Sequence, residues 1–201
     1  MSCPTTLLHY RIGELVSRFM VEYPRVVVHL EATNRRVDLI GEGLDLALRV
    51  RFPPLENSDL VMRVLVDSPQ RLVANPAFLR DLALPLMPAD LSGLPSLDLG
   101  PPHDHIWQLR GPDGATAAVP HQPRLVTDDM TALRQAALAG VGIVQLPHMV
   151  VDNDLHAGTL VDIIPHWAPA GGVVHAVFSS RRGLLPSVRK LVDFLADNIQ
   201  R

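Results

Sequence analysis

Several places in this sequence put polar side chains where the chain changes direction, which is where an α/β protein usually holds a ligand. The first is Ser2-Cys3-Pro4-Thr5, ahead of an amphipathic stretch. Free N–H groups and the dipole at a helix start favour anions, so Ser2, Cys3 and Thr5 are candidate ligand contacts. Plain capping accounts for the hydroxyls as well. The second place is Thr33-Asn34, between a valine-rich run and a short apolar face. Ligands of parallel sheets bind beyond the carboxyl ends of strands, which makes both residues candidates, with capping again the alternative. The third is Arg49-Val50-Arg51 at the end of an apolar run. Arg49 could hold a carboxylate through two parallel hydrogen bonds, although arginines at strand ends are often simply solvated. The fourth is Thr127-Asp128-Asp129, where an extended segment enters a helix, and Gln145 ends a later strand beside Leu146. Thr127 and Gln145 are candidates there, while Leu146 reads as core.

Other chemistry is weakly supported. His103-Asp104-His105 sets three potential ligands in a row, but no cysteine pair or HExxH accompanies them, so no metal is expected. Cys3 could be redox-active with a stabilised thiolate, yet a lone cysteine cannot form a sensing pair within the chain. No GxSxG, P-loop or GxGxxG occurs, and Gly140-Val141-Gly142 follows a helix, the wrong context for a dinucleotide turn. The expectation is a non-enzyme without a cofactor.

The elements that must position these residues are organised around 34–50, NRRVDLIGEGLDLALRV. Asn34 reads as the N-cap of a short helix with Val37, Leu39 and Ile40 on its apolar face, closed by Gly41 and Gly43. Leu44 to Val50 reads as a mostly buried strand, bounded by Pro53-Pro54. Upstream, residues 5–23 place Leu8, Ile12, Leu15, Val16, Phe19 and Met20 on one helical face, stopped by Pro24. Arg25 to Ala32 reads as a strand.

Further strands are expected at 60–66, 70–74, 96–99, 125–127, 142–146, 160–164 and 173–179. A hairpin is expected about Gly111-Pro112-Asp113-Gly114. Helices are expected from Asn75-Pro76 to about Asp81, from Asp128 or Asp129 to Ala139, over 147–155 and over 186–199, with a possible helical turn at 88–92. Pro85 and Pro95 mark loops. The alternation of strands and helices gives an α/β class with largely parallel sheets.

Composition agrees with a folded domain of 201 residues, 47% hydrophobic and 19% charged. The formal net charge is −3, whereas a surface that grips nucleic acid is usually basic, so direct DNA contact by this segment is not expected. No apolar run approaches the ~20 residues of a membrane span, and residues 1–10 lack the pattern of a secretion signal. One cysteine excludes an internal disulfide and fits a reducing compartment, giving an expected cytoplasmic location.

Three stretches in order, NRRVDLIGEGLDLALRV (34–50), LVANPAFL (72–79) and AALAGVGIVQLPHMVVDNDLHAGTLVDIIPHW (136–167), resemble the effector-binding domain of LysR-type transcriptional regulators. The resemblance covers nearly the whole chain. It implies a fold like that of type 2 periplasmic binding proteins. Two α/β subdomains, 1–66 with 168–201 and 67–167, would be joined by two crossover strands around a small-molecule cleft.

It also implies that Ser2, Cys3, Thr5, Thr33, Asn34, Arg49, Thr127 and Gln145 meet an effector. The domain would form homodimers or tetramers, with the first helix and the helix near 129–139 as partners. Ligand would then act by shifting populations. Family members carry an N-terminal winged helix-turn-helix that contacts DNA; this chain opens at MSCPTTLL, where the family has just completed a first strand, most of which is expected to be missing. A solute-binding protein of a transport system would use the same fold and is the alternative reading; a small enzyme on that fold is a third.

Overall fold

The structure is a computed structural model and describes residues 1–52, 60–80, 82, 86–100, 105–178 and 184–199. Pro53-Pro54, Asp81, Pro85, His103, Asp104 and Ser179, named above, lie outside the described residues. The chain divides into two compact units, Met1–Ser68 with Gly172–Arg201 and Pro69–Gly171.

The first unit is built on a sheet of β1 (Ser2–Cys3), β2 (Glu31–Ala32), β3 (Ala47–Arg51), β4 (Val61–Ser68) and β13 (Gly172–Phe178) in the order β2-β1-β3-β13-β4. β1 runs parallel to β2 and β3, with Ser2 opposite Glu31 and Ala47. β13 is antiparallel to β3 and β4. This sheet is therefore mixed. β1, β2 and β3 form its parallel part, whereas β4 leaves the unit and β13 re-enters it without a crossover helix to align them.

The opening helix has three parts: α1 (Thr5–Leu7), a π-helical turn (Leu8–Ile12) and α2 (Gly13–Glu22). The Gly13 N–H donates to Leu8 O, five residues back. A Cβ on Gly13 would stand 3.0 Å from that oxygen, so glycine lets the turn widen. The extra residue re-phases the helix. Leu7, Ile12, Leu15, Val16 and Phe19 are buried, while Leu8 is only half-buried and Met20 is exposed, against the uniform face expected. Phe19 packs edge-on against Phe194 of α5 (Pro186–Asn198) at 5.5 Å between ring centres. α5 buries Leu191, Val192 and Leu195.

Two sequence expectations fail in this unit. Of the strand expected over 25–32, only Glu31–Ala32 pairs as a strand. Val27 stays 77% exposed. No helix forms over 34–40. Asp38 and Leu39 begin a single turn that closes at once. Leu44 N–H donates to Leu39 O at 2.9 Å and Gly43 N–H to Ile40 O at 3.2 Å, with Gly43 at φ 65°. That pair of bonds is the glycine-terminated end of a helix, here sealing one turn before a second can start. Val37 and Leu39 still reach the core, packing with Ala47 and Val177.

The second unit has a five-stranded sheet in the order β11-β5-β10-β6-β9, made of β5 (Gln70–Ala74), β6 (Ser96–Leu99), β9 (Pro123–Thr127), β10 (Ile143–Pro147) and β11 (Val161–Asp162). β10, β6 and β9 are mutually parallel neighbours, and β5 opposes β10 and β11. A three-stranded antiparallel sheet sets β7 (Ile106–Arg110) between β12 (Ala168–Pro169) and β8 (Thr116–Pro120). The expected hairpin turn carries Asp113 at φ 54°. Leu72, Leu91, Trp107, Leu109, Ile143 and Ile164 form the centre of this unit's core. The segment after Asn75 is a 3-10 turn, Pro76–Leu79, capped by the Asn75 side chain. α3 (Met130–Leu138) and α4 (His148–Ala157) flank the sheet. They are clasped by Arg134, which forks onto Asp154 with Nε–Oδ2 at 2.5 Å and NH2–Oδ1 at 2.7 Å.

Candidate functional site

Because β1, β2 and β3 are parallel, their carboxyl ends share one edge of the first sheet. Pro4, Thr33 and Phe52 follow them, and Arg51 ends β3, two residues beyond Arg49, which lies inside the strand rather than at its end as expected. A cavity of about 470 Å³ opens at this edge, within the usual range for small-molecule sites. Its lining includes Ser2, Thr33, Asn34, Arg36, Arg49 and Arg51. Every lining residue belongs to the first unit.

The turn after β2 is held by its own polar side chains. Thr33 N–H donates to Cys3 O at 2.9 Å, fixing it beside β1. Thr33 Oγ1 accepts from Arg35 N–H at 3.3 Å. Asn34 caps a helix, though not the one expected. Its Oδ1 accepts the Thr5 N–H at 3.1 Å, 29 residues away in sequence. Pro4, at the N-cap position of α1, supplies no side-chain cap of its own. One of the orphan amides of that helix start is thereby satisfied from across the sheet.

Cys3 and Thr5 are not brought to the cavity wall. Successive strand residues face opposite sides, so with Ser2 on the cavity side the Cys3 side chain turns into the core, 1% exposed. Burial pushes its thiol up to about 12. Cys3, expected as a ligand contact, is not among the residues on the cavity wall, and Ser2, which is, is itself only 2% exposed; a buried neutral thiol also makes a poor oxidant sensor. Thr5 contributes its backbone N–H to Asn34 rather than a cavity contact.

The electrostatics of the cavity are one-sided. Arg35, Arg36, Arg49 and Arg51 line it, and among the described residues no acidic side chain does. Arg35 is matched from outside the wall. It forks onto Glu42 at 2.7 and 2.5 Å and also reaches Glu31 at 3.0 Å. That clasp holds Glu42 down at about 2. Arg49 is different. Its NH2 donates to Val37 O at 3.0 Å, and among the described residues it has no carboxylate partner. Partial burial, then the like charges of Arg51 and Arg36, lower its pKa. Sequence reading singled out Arg49 and Arg51 but missed Arg36. The signal was the twin arginine directly after Asn34.

In the second unit, Thr127 ends β9, while Gln145 lies in the middle of β10, which continues to Pro147, rather than at the strand end expected for it. Thr127 stands opposite Leu99, and the Gly100 N–H donates to Thr127 O at 3.0 Å. Thr127 Oγ1 accepts from Asp129 N–H, and Asp129 in turn caps α3 through Thr131 and Ala132 N–H. Gln145 is half-buried in β10 opposite Leu72. A separate polar cluster was not read from sequence. Ser96 Oγ lies 2.9 Å from His121 Nδ1, and His105 Nδ1 lies 2.5 Å from Asp98 Oδ2. The His121 ring stacks on Trp107 at 3.9 Å. Ser96 is fully buried, so the Ser–His pairing fastens the hairpin to the sheet and offers no accessible nucleophile. Among the described residues no group of three or more His, Cys, Asp or Glu is arranged to hold a metal. No helix there is long and apolar enough to cross a membrane.

Comparison with known proteins fits this geometry. The family model of the LysR substrate binding domain matches residues 1–200. The transcriptional activator AaeR of Escherichia coli is 29% identical over 197 residues, covering 98% of this chain and 63% of that protein. DmlR, another Escherichia coli regulator, is 33% identical over 177 residues, 86% of this chain and 56% of that protein. This chain thus spans less than two thirds of those regulators' length. Among solved structures, CrgA of Neisseria meningitidis superposes with a TM-score of 0.82 at 25% identity, covering 100% of this chain and 67% of that one. The regulatory domain of AphB from Vibrio vulnificus gives 0.80 at 24% identity, 98% of this chain and 96% of that one. The chain belongs to the LysR substrate binding domain family, as an effector-sensing regulatory domain of the α/β two-unit type.

Proposed function

We propose that the domain takes its effector at the carboxyl-end cavity of the first unit, with Ser2, Thr33, Asn34 and Arg49 as contacts. The observation that carries this reading is the convergence of three strand ends on one cavity, where hydroxyl, amide and guanidinium groups meet. Thr127 provides a polar strand end of the second unit and stays a candidate on the same rule; Gln145, inside β10, stays one by the family resemblance. The whole protein would regulate transcription in bacteria. DNA contact would come from a separate domain, with homodimers or tetramers as the working form and the cytoplasm as its location. Met20 and Val21 on α2, 39% and 83% exposed, support an apolar contact with a second copy. No reaction is assigned: the Ser96–His121 pair is buried, and the relatives are transcriptional regulators.

The test is a thermal-shift screen of metabolites, since a compound that binds only the folded state raises its apparent stability. A hit is then titrated by calorimetry against Thr33→Val. One lost hydrogen bond of about 0.5–1.5 kcal/mol corresponds to roughly 2- to 12-fold weaker binding. Unchanged affinity in Thr33→Val and in Ser2→Ala would move the effector away from this cavity.

A further inference from the structure

We infer that the ligand of this cavity is a small dianion, a dicarboxylate in the simplest case, held by Arg36 and Arg49 together. The inference rests on the reading of the cavity as the effector site and narrows the chemistry of what enters it.

The four lining arginines are not equivalent. Arg35 is occupied structurally, because Glu42 and Glu31 take its guanidinium and use it to brace the turn. Arg36 and Arg49 have no carboxylate partner among the described residues. Arg49 leaves β3 half-buried, spends one N–H on the Val37 carbonyl and keeps the rest of its fork. Arg36 sits on the turn after β2 and is exposed. Both line the same cavity, and the charge of Arg36 is one of the causes, after burial, that lower the pKa of Arg49.

Two guanidiniums on one cavity wall, one of them half-buried, repel each other in the empty state, and anionic groups bound beside them relieve that repulsion. A neutral ligand would remove water from Arg49 and return nothing for it. A single carboxylate would answer one guanidinium and leave the other facing it. Two anionic groups answer both, and the fork geometry of arginine favours planar carboxylates. The hydroxyls of Ser2 and Thr33 then complete the polar wall.

The experiment uses the intact chain and simple probes: succinate, glutarate and phthalate, butyrate and benzoate as monoanions, and succinamide as the neutral counterpart. Binding is followed by thermal shift and calorimetry at two ionic strengths. The variants are Arg36→Gln, Arg49→Gln and Thr33→Val. Arg36→Gln touches only an exposed side chain, so it keeps the test valid even if Arg49→Gln loosens the turn at Val37.

The expected result is at least ten-fold tighter binding of the best diacid than of any monoacid, with weaker binding at high salt. Each arginine variant should lose about ten-fold for diacids and much less for monoacids. Succinamide binding as well as succinate, with a loss in Thr33→Val, would overturn the dianion and keep the cavity. Diacid binding indifferent to all three substitutions would overturn the cavity as well. No binding of any diacid at 10-fold the concentration giving a monoacid shift, or no shift from any probe, would also overturn the dianion.

Discussion

The Arg134–Asp154 clasp allows a quantitative test of what holds the second unit together. Arg134 projects from α3 and Asp154 from α4, and the two are joined by both arms of the guanidinium. The Asp154 carboxylate is nearly buried, with its side chain 7% exposed against 27% for Arg134. Thr159 Oγ1 adds a third donor at 3.2 Å. Replacing Arg134 with Met keeps the aliphatic packing but strands a buried carboxylate with one hydroxyl partner. Removing one partner of a buried pair costs about 3–5 kcal/mol. The partial exposure of Arg134 lets water reach the site and trims the expectation to about 2–4 kcal/mol. For a chain of this size each kcal/mol moves Tm by about 2–4 °C, so a fall of roughly 4–16 °C is expected. The double variant Arg134→Met/Asp154→Leu removes the stranded charge and should recover most of that loss. Urea and thermal unfolding followed by circular dichroism give both numbers. A single variant within about 0.5 kcal/mol of the parent, or a double variant no better than the single, would refute the reasoning.

Two further outcomes are expected. Burial lowers the pKa of His175 in β13, and Arg51 and Arg49 push the same way against the bond to the Val173 carbonyl. The unfolded chain therefore takes up a proton that the folded one refuses. The His175 contribution to stability is complete above about pH 6.5 and falls as pH drops below it, by at most about 1.4 kcal/mol per pH unit. Urea midpoints at pH 7.5 and 5.5 should differ less in His175→Gln than in the parent; an equal loss in both would assign the effect elsewhere. Cys3, buried and held as a neutral thiol, should resist a disulfide reagent in the native state and react fully in guanidinium; fast native labelling would show that β1 opens.

The α/β class and the order of most strands and helices were legible from periodicity and from glycine–proline punctuation. Element ends of α3, β5 and the hairpin fall close to where Asp129, Gln70 and Gly111 put them. The departures have two physical causes, a long-range bond at Asn34 and local backbone closure at Gly43 and Gly13. Asn34 looks like a local cap because its type says so, yet its partner amide is on Thr5. The 34–40 turn looks helical because Val37 and Ile40 stand three apart, but Gly43 closes it early and leaves Ile40 exposed. The π turn at Leu8–Ile12 leaves no periodic signature beyond a glycine at its exit. Of the candidate residues, those defined by strand ends could be named in advance. Arg36 could not, because its place on the cavity wall comes from how the turn after β2 folds. The Ser96–His121 and Asp98–His105 pairs were invisible because they join residues brought together by the hairpin, not by sequence spacing.

The hydrogen bond from the Thr5 amide to Asn34 has one more consequence. It ties the rim of the cavity to the first peptide of the long helix with a single proton that solvent can replace. Any guest that draws the Asn34 carboxamide toward itself uncovers that proton, and any guest that stiffens the rim guards it. The deuterium uptake of one backbone position, Thr5, is thus a native gauge of occupancy, readable with neither a dye nor knowledge of what the guest is.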